Sequence, residues 1–273
     1  MQSSEYPRLF LLIFPAAFIF IAFFAVPMAR LAVVGTTGED GYAAYLSMAT
    51  TPRHFESMVA TVLLSFGVTI TALIISTIAG LFLVRNSFFG RETLISMLTF
   101  PLAFPGVVIG FMVILLAGRQ GLVGTITNAL SGDKLVFAYS MAGLFIGYLY
   151  FSIPRVILTI MAAAEKLDTS LEEAAQSLGA SPWRVVCDVI LPALKPGLIA
   201  SGAICFATSM GAFGTAFTLA TNIDVLPMTI YTEFTLNANI AGAASLSIIL
   251  GLVTWVALFV ARSLSGSSVA ASA

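Results

Sequence analysis

Residues 58–84 read MVATVLLSFGVTITALIISTIAGLFLV, a run without a single charged residue. A helix of about 20 apolar residues crosses the roughly 30 Å of hydrocarbon in a bilayer, so this run predicts a membrane-spanning helix. Its apolar residues are continuous rather than alternating, which favours a helix over a strand of a membrane β-barrel.

The composition carries the same signal along the whole chain. Of the 273 residues, 59% are hydrophobic and 9% are charged, and the mean hydropathy is +1.03. Soluble domains carry about 25% charged residues, so this chain lacks the charge to cover a soluble surface. The 22 Phe and the long aliphatic runs equally exclude a disordered chain. The composition therefore indicates a polytopic membrane protein.

Six runs are long and apolar enough to span a membrane, which predicts an all-α fold, a polytopic bundle of six transmembrane helices. The first is longer than the apolar core of a signal peptide, and we expect it to be retained as a helix. The predicted spans are Leu9–Val34, Met58–Val84, Leu94–Ala117, Leu135–Ala163, Gly197–Leu219 and Ala241–Ala261.

The distribution of Lys and Arg predicts the orientation. An even number of spans places both termini on one side of the membrane. With both termini in the cytoplasm, eight of the twelve basic residues lie on the cytoplasmic side and four outside, as the positive-inside rule requires. Arg155, near the inner end of span four, is counted among the eight.

The segment between spans four and five, residues 165–196, is the longest predicted cytoplasmic stretch and holds five of the thirteen acidic residues. The stretch Ser170–Glu173 has the pattern of a capping box and predicts a helix start at Ser170. Gly179 suits the left-handed end of that helix, and Ser181-Pro182 suits the start of a second one. The prolines in residues 191–196 predict a break before span five.

This segment resembles a known family motif. It contains Glu173-Ala174-Ala175, followed after three residues by Gly179, after nine more by Val189 and after one more by Leu191-Pro192. This pattern looks like the EAA motif of permease subunits of binding-protein-dependent ABC importers. The family pattern has Ile where Val189 stands. Residues 152–155, 167–168, 179–181 and 196–197 are also similar to the family, and the resemblance covers about residues 58–262. We call residues 165–196 the EAA loop.

The resemblance implies a coupling helix in the EAA loop that contacts a cytoplasmic ATPase. The alternative for two of its residues is local, with Glu173 only capping its helix and Gly179 only turning the chain. The expected ATPase-coupling residues are Ser170, Glu172, Glu173, Ala174, Ala175, Gly179, Ser181, Pro182, Leu191 and Pro192.

The resemblance also implies the surroundings of the chain. We expect two ATP-binding subunits, a second permease subunit that is identical or different, an extracytoplasmic solute-binding protein and the lipid bilayer of a bacterial inner membrane. The predicted organisation is an N-terminal helix with a periplasmic loop (1–57), a permease core (58–262) and a cytoplasmic tail (263–273).

Several chemistries have no support in the sequence. There is no G-x-x-x-x-G-K-[ST] motif, so ATP and Mg²⁺ are expected on the partner ATPase and the chain itself is not expected to be an enzyme. A single histidine, His54, excludes a histidine-built metal site, and we expect His54 to be a surface or interfacial residue of the first external loop rather than a ligand. Two cysteines are too few for a disulfide framework, and a net charge of −1 argues against nucleic acid as a partner.

The sequence says least about the solute. By resemblance, Ser209, Met210 and Phe213 are candidates for the translocation path, with helix packing as the alternative. Residues 225–231 look like permeases of the polyamine, ferric-iron and phosphonate group, which favours spermidine or putrescine, with 2-aminoethylphosphonate and ferric iron as alternatives. A secondary transporter or a non-transporting scaffold is the rival function. The scarcity of charge inside the spans disfavours a proton-coupled carrier.

Overall fold

The computed structural model describes residues 5–38, 41–219 and 223–265. Within these ranges the secondary structure consists of helices and turns, without a β-strand. Six helical stretches are long and apolar enough to cross a membrane, which confirms the predicted all-α, polytopic fold. Most of the predicted tail, residues 263–273, lies outside the described residues.

The helices of the described residues are numbered in chain order. They are α1 (Glu5–Phe20, Ile21–Ala25 and Val26–Val34), α2 (Ser47–Thr50), α3 (Pro52–Arg85), α4 (Arg91–Thr99), α5 (Gly106–Ala117), α6 (Leu122–Ser131), α7 (Met141–Ala164), α8 (Thr169–Ser177), α9 (Pro182–Met210), α10 (Gly214–Leu219), α11 (Leu226–Tyr231 and Thr232–Leu236) and α12 (Ile240–Ser265). Single π turns lie within three of them, at Ile21–Ala25 in α1, Val186–Ile190 in α9 and Thr232–Leu236 in α11.

The third predicted span, Leu94–Ala117, is interrupted and shifted. Helix α4 ends at Thr99, a 3₁₀ turn follows at Phe100–Ala103, and the membrane-length stretch runs from Gly106 to Ser131. Phe104 is extended because it precedes Pro105, whose ring disfavours a helical residue before it. The chain therefore has a non-helical joint at residues 104–105, within the predicted span and next to Pro105.

The fifth predicted span is wrong at both ends. The expected break at residues 191–196 does not occur, because α9 runs without interruption from Pro182 to Met210. A π turn at Val186–Ile190 accommodates Pro192, which has no N–H for an intrahelical bond, and Pro196 lies inside the helix. The break comes instead at residues 211–213, before the short helix α10.

The remaining spans are close to their predictions. Helix α3 extends the predicted second span at its N-terminal end, and α7 begins at Met141 rather than Leu135. Helix α12 is longer than predicted at its C-terminal end. The sequence did not predict α11, which lies between spans five and six.

Two compact units make up the chain, one of residues 1–58 with 229–252 and the other of residues 59–228 with 253–273. In the first unit, the Tyr45 hydroxyl donates to the Ala32 carbonyl, 2.7 Å away, and ties the 3₁₀ turn Gly41–Leu46 to α1. In the second unit, the core is formed by buried side chains of α3, α5, α7, α9 and α10, with Val68, Leu144 and Leu219 fully buried. The predicted domain limits at residues 57 and 262 stay a prediction.

Candidate functional sites: the EAA loop and a cavity beside Arg155

The first helix of the EAA loop begins at a different residue from the one predicted. Asp168, not Ser170, is the N-cap, and its carboxylate accepts a hydrogen bond of 2.9 Å from the Ser170 N–H. Hydrogen bonds from the Ser170 side chain and N–H hold the pKa of the Asp168 carboxyl below its ordinary value. The predicted capping box is wrong because Ser170 already lies inside α8, where its own N–H needs a partner.

The end of α8 follows the prediction. Gly179 has a φ of +83°, the left-handed conformation that glycine adopts at little cost. The Ala180 N–H bonds to the Ala175 carbonyl and the Gly179 N–H to the Gln176 carbonyl, which is the hydrogen-bond pattern of a Schellman cap. Ser181 caps the next helix through the Arg184 N–H, with Pro182 at its first position, as predicted.

Two interactions attach the EAA loop to the spans. The Arg85 guanidinium at the end of α3 forms an ion pair with Glu172 of α8, whose side chain is 12% exposed. In addition, Ala175 packs against a small apolar cluster whose buried centre includes Ala164, Val185 and Leu194. The loop is therefore attached to α3 and α7 both by an ion pair and by apolar packing.

The opposite side of the EAA loop is exposed. Eight of the ten predicted coupling residues are exposed, and only Glu172 and Ala175 are half-buried. Large apolar side chains share this exposure, with Leu178 at 89% and Trp183 at 74% of their full surface. An exposed apolar surface of this kind is typical of a protein interaction site. The role of the ten residues in coupling stays a prediction.

The joints at residues 104–105 and 211–213 border one cavity. It has a volume of about 280 Å³ and lies within the second compact unit. Arg155 of α7 is the charged residue among those that line it. The lining residues are Pro101, Leu102, Phe104, Gly106, Ile109, Phe151, Arg155, Thr208, Ala212, Gly214 and Thr215. We call this space the Arg155 cavity.

Close packing of α10 on α5 forms one wall of the cavity. The Thr215 hydroxyl donates to the Gly106 carbonyl at 2.9 Å, and the Thr218 hydroxyl is 3.3 Å from the Val107 carbonyl. A Cβ added at Gly110 would lie 2.5 Å from the Thr218 Cβ, so this approach requires glycine. Small residues that allow close helix approach, with hydroxyls bonding across it, are typical of membrane proteins.

The joint at residues 211–213 has its own support. The hydroxyl of Tyr148 in α7, which is almost fully buried, donates a short hydrogen bond to the Ala212 carbonyl. This carbonyl lies outside a helix, and without a donor it would be left unpaired in apolar surroundings. Tyr148 therefore stabilises the non-helical backbone beside the cavity.

The three residues predicted for the translocation path lie around this joint. Ser209 and Met210 are fully buried within the chain, and the Ser209 hydroxyl has no hydrogen-bond partner among the described residues. Phe213 is half-buried, and its ring centre is 5.3 Å from that of Phe217. The residues that line the cavity are their neighbours Thr208, Ala212 and Gly214. Path roles for the three predicted residues stay a prediction.

Arg155 was not singled out as a site residue from the sequence. It was counted with the cytoplasmic charges, whereas the structure places it inside α7, nine residues before the helix ends at Ala164. A signal was available, because a charged residue within a span is costly and usually functional.

His54 is half-buried in the first turn of α3, and its predicted place in an external loop stays a prediction. Its side chain is 12% exposed, and its Nε2 lies 3.8 Å from a carboxylate oxygen of Glu233 within the first compact unit. The same carboxylate accepts hydrogen bonds of 3.0 Å from the amides of Asn237 and Asn239. This pair joins the start of α3 to α11.

Comparison with known proteins identifies the family. Residues 72–267 match the family described as the binding-protein-dependent transport system inner membrane component. The chain is 34% identical over 209 residues to the molybdenum transport system permease protein ModB of Escherichia coli K12, covering 74% of this chain and 90% of ModB.

Two further relatives and one solved structure agree with this match. The sulfate transport system permease protein CysT of Escherichia coli K12 is 31% identical over 192 residues, covering 70% of this chain and 68% of CysT. PhnU of Salmonella typhi, named as a 2-aminoethylphosphonate transport system permease protein, is 30% identical over 222 residues, covering 80% and 77%. A chain of the bacterial alginate ABC transporter shares the fold, with a TM-score of 0.78 over 95% of this chain and 94% of that one at 17% identity.

The family match spans well over half of the chain, and the relatives are permeases of transport systems. Together with the six membrane-length helices and the EAA loop, they show that this chain belongs to the binding-protein-dependent transport system inner membrane component family and is a permease subunit of an ABC importer.

Proposed function

We propose that this permease imports a small oxyanion. The observation that carries the proposal is the set of curated relatives, whose names give molybdenum, sulfate and 2-aminoethylphosphonate as their cargo. Each is 30% identical or more over at least two thirds of both chains. Molybdate, sulfate and a phosphonate share tetrahedral, negatively charged oxygen groups, and this shared chemistry defines the proposed solute class.

The polyamine favoured by the sequence has less support. Spermidine and putrescine are polycations, and carboxylates along a path would attract their positive charge. The residues that line the Arg155 cavity, all in the described part of the chain, include a guanidinium and no carboxylate. A cation next to Arg155 would be repelled, whereas an oxyanion would be attracted.

The EAA loop supports the proposed link to ATP hydrolysis. We infer that its exposed side, with Glu173, Leu178 and Trp183, docks onto a cytoplasmic ATPase, because an apolar surface of this kind is stabilised by a partner. The attachments through Arg85–Glu172 and Ala175 would then transmit movement of the ATPase to α3, α7 and α9. ATP and Mg²⁺ would bind to that partner, and both termini of this chain would lie in the cytoplasm.

The proposed mechanism is alternating access. Two ATPase subunits, a second permease subunit and an extracytoplasmic binding protein complete the importer. ATP binding can shift the permease between inward and outward states only if the ATPase contacts the two states differently. The joints at residues 104–105 and 211–213 are places where backbone angles can change without breaking regular helix.

The test is a solute screen on the assembled importer. The complex is co-purified in detergent from its own membranes, reconstituted into liposomes, and supplied with binding protein and ATP. Uptake of molybdate, sulfate, 2-aminoethylphosphonate, spermidine, putrescine and ferric iron is measured. We expect saturable, ATP-dependent uptake of one oxyanion and none of the polyamines.

Two other outcomes would contradict this function. Uptake of a polyamine or ferric iron without any oxyanion would overturn the solute class. Uptake that needs an ion gradient but no ATP would support the rival secondary transporter. A control without ATP and a control with empty liposomes separate these outcomes from leakage.

A further inference from the structure

Arg155 lies at a depth where a charge is costly. It is nine residues from the end of α7 at Ala164 and fourteen from its start at Met141. At about 1.5 Å of rise per residue, these distances are about 14 Å and about 21 Å. An arginine this far from both ends of a spanning helix is expected to face a cavity or a partner charge rather than lipid.

Arg155 has no partner charge among the described residues. Arg85 and Arg91 form ion pairs with Glu172 and Glu92, whereas no described carboxylate lies within 4.0 Å of the Arg155 guanidinium. A guanidinium keeps its charge in proteins and carries five N–H donors. Arg155 therefore brings an uncompensated positive charge to the cavity that it lines.

The other polar side chains of the cavity have their protons engaged. The Thr208 hydroxyl donates to the Ile204 carbonyl at 2.9 Å, and the Thr215 hydroxyl donates to the Gly106 carbonyl at 2.9 Å. Much of the remaining wall is apolar, with Ile109 and Phe151 among its residues. Among the lining side chains, Arg155 is thus the donor with hydrogen-bonding capacity to spare.

The volume suits a small solute. A water molecule occupies about 30 Å³ in the liquid, so the cavity of about 280 Å³ equals about nine waters. A tetrahedral oxyanion with a few waters fits this space. A single arginine in a mostly apolar wall gives attraction without the many contacts that would trap a solute, as a transport path requires.

We propose that the Arg155 cavity is a subsite for the transported oxyanion within the membrane, and that the Arg155 guanidinium makes this part of the path selective for negative charge. The proposal rests on the proposed function, in which the solute is an oxyanion. It assigns recognition to a residue of the permease, in addition to whatever selection the binding protein makes.

The first test removes the charge. The complete importer is reconstituted with whichever of molybdate, sulfate or 2-aminoethylphosphonate the unaltered complex takes up. We expect Arg155→Gln to lower ATP-dependent uptake about tenfold or more, since a hydrogen bond to a charged group is worth that factor, and Arg155→Lys to retain part of it. The matched control is Arg119→Gln, which makes the same change at an exposed arginine in the turn between α5 and α6, away from the cavity lining, and should leave uptake unchanged.

A second pair of variants tests the cavity if Arg155→Gln fails to assemble. Thr208→Asp and Thr208→Asn have nearly the same shape and both lose the hydroxyl, so they differ in charge alone. A carboxylate in the cavity would neutralise Arg155 and repel an oxyanion. We expect uptake by the Asp variant to be about tenfold below that of the Asn variant.

The outcomes separate the two proposals. Suppose that the unaltered importer takes up an oxyanion, that uptake by Arg155→Gln equals uptake by Arg119→Gln, and that uptake by Thr208→Asp equals uptake by Thr208→Asn. The cavity subsite is then overturned and the proposed function stands. If the unaltered importer takes up no oxyanion, the proposed function fails and the subsite fails with it.

Discussion

The EAA loop and the walls of the Arg155 cavity both contain breaks between helices, but different interactions form them. In the EAA loop, the caps at Asp168, Gly179 and Ser181 bond to residues at most five positions away. In the cavity, Thr215 bonds to Gly106 and Tyr148 to Ala212, across 109 and 64 residues. Local rules form the first region, and long-range packing forms the second.

This difference predicts different responses to substitution. A change in the EAA loop should alter a turn and its docking while the spans stay packed. A change in the cavity wall should disturb the packing of α5, α7, α9 and α10 at once, because these helices contribute residues to both the core and the wall. Substitutions at three places test this contrast, from the largest expected effect to the smallest.

Gly110→Val should give the largest effect. The added Cβ would lie 2.5 Å from the Thr218 Cβ, so α5 and α10 must separate. Overpacking of this kind costs about 1–3 kcal/mol, and a branched residue belongs at the upper end. We expect a lower thermal midpoint of the purified complex, measured in detergent, and a loss of uptake with it.

Gly251→Val is the control for this change. An added Cβ at Gly251 meets no atom within 4 Å, and the glycine lies in a spanning helix as Gly110 does. Equal midpoints for the two variants would show that the α5–α10 contact does not limit stability, and the contrast between the two regions would fail.

Gly179→Val should give an intermediate effect that is confined to coupling. The native φ of +83° costs a non-glycine residue about 1–2 kcal/mol. We expect the turn between α8 and α9 to be distorted and ATP-dependent uptake to fall about tenfold, which corresponds to about 1.4 kcal/mol. The thermal midpoint of the spans should move much less than in Gly110→Val.

Gly179→Asn provides the comparison within this site. Asparagine visits the left-handed region far more readily than valine, so its uptake should lie between those of the Val variant and the unaltered chain. Normal uptake in Gly179→Val would remove the turn from the coupling mechanism.

The Arg85–Glu172 pair should give the smallest effect. It joins α3 to α8, so it is the point at which the locally formed loop depends on a distant residue. Because Arg85 is 38% exposed, solvent screens the pair, and we expect a coupling energy of about 0.5–1 kcal/mol. Arg85→Gln, Glu172→Gln and the double variant form a double-mutant cycle, in which each free-energy change is RT times the logarithm of a ratio of ATP-dependent uptake rates.

One result of this cycle would contradict a role for the Arg85–Glu172 pair in coupling. If the two single changes add in the double variant, the pair carries no coupling, and the EAA loop is attached by its apolar cluster alone. A double variant no worse than either single variant would instead support the role of the pair.

Particular residues show how far the sequence could predict these sites. Gly179 and Ser181-Pro182 were predictable because their caps involve only neighbouring residues. The choice between Asp168 and Ser170 as N-cap was not, since it depends on where the preceding helix ends. The continuity of α9 was missed for a related reason, because a π turn absorbs the missing N–H of Pro192.

The cavity was less predictable still. Arg155 was placed near the inner end of its span, and nothing within a few residues of it indicated a cavity. Its lining comes from three separate parts of the chain, residues 101–109, 151–155 and 208–215. Ser209 and Met210 were one or two positions away from lining residues, and the sequence alone could not determine which side of the helix faces the space.

The sequence by itself determined the six membrane-length helices, the family motif of the EAA loop and the local caps at Gly179 and Ser181. These follow from composition and from interactions within a few residues, which the order of the amino acids specifies directly. Only the tertiary structure decided the pairing of Arg85 with Glu172, the support of the joint at residues 211–213 by Tyr148 and the exposure of Arg155 to a cavity. These contacts depend on how helices distant in the chain pack, and the free energy of that packing belongs to the fold as a whole.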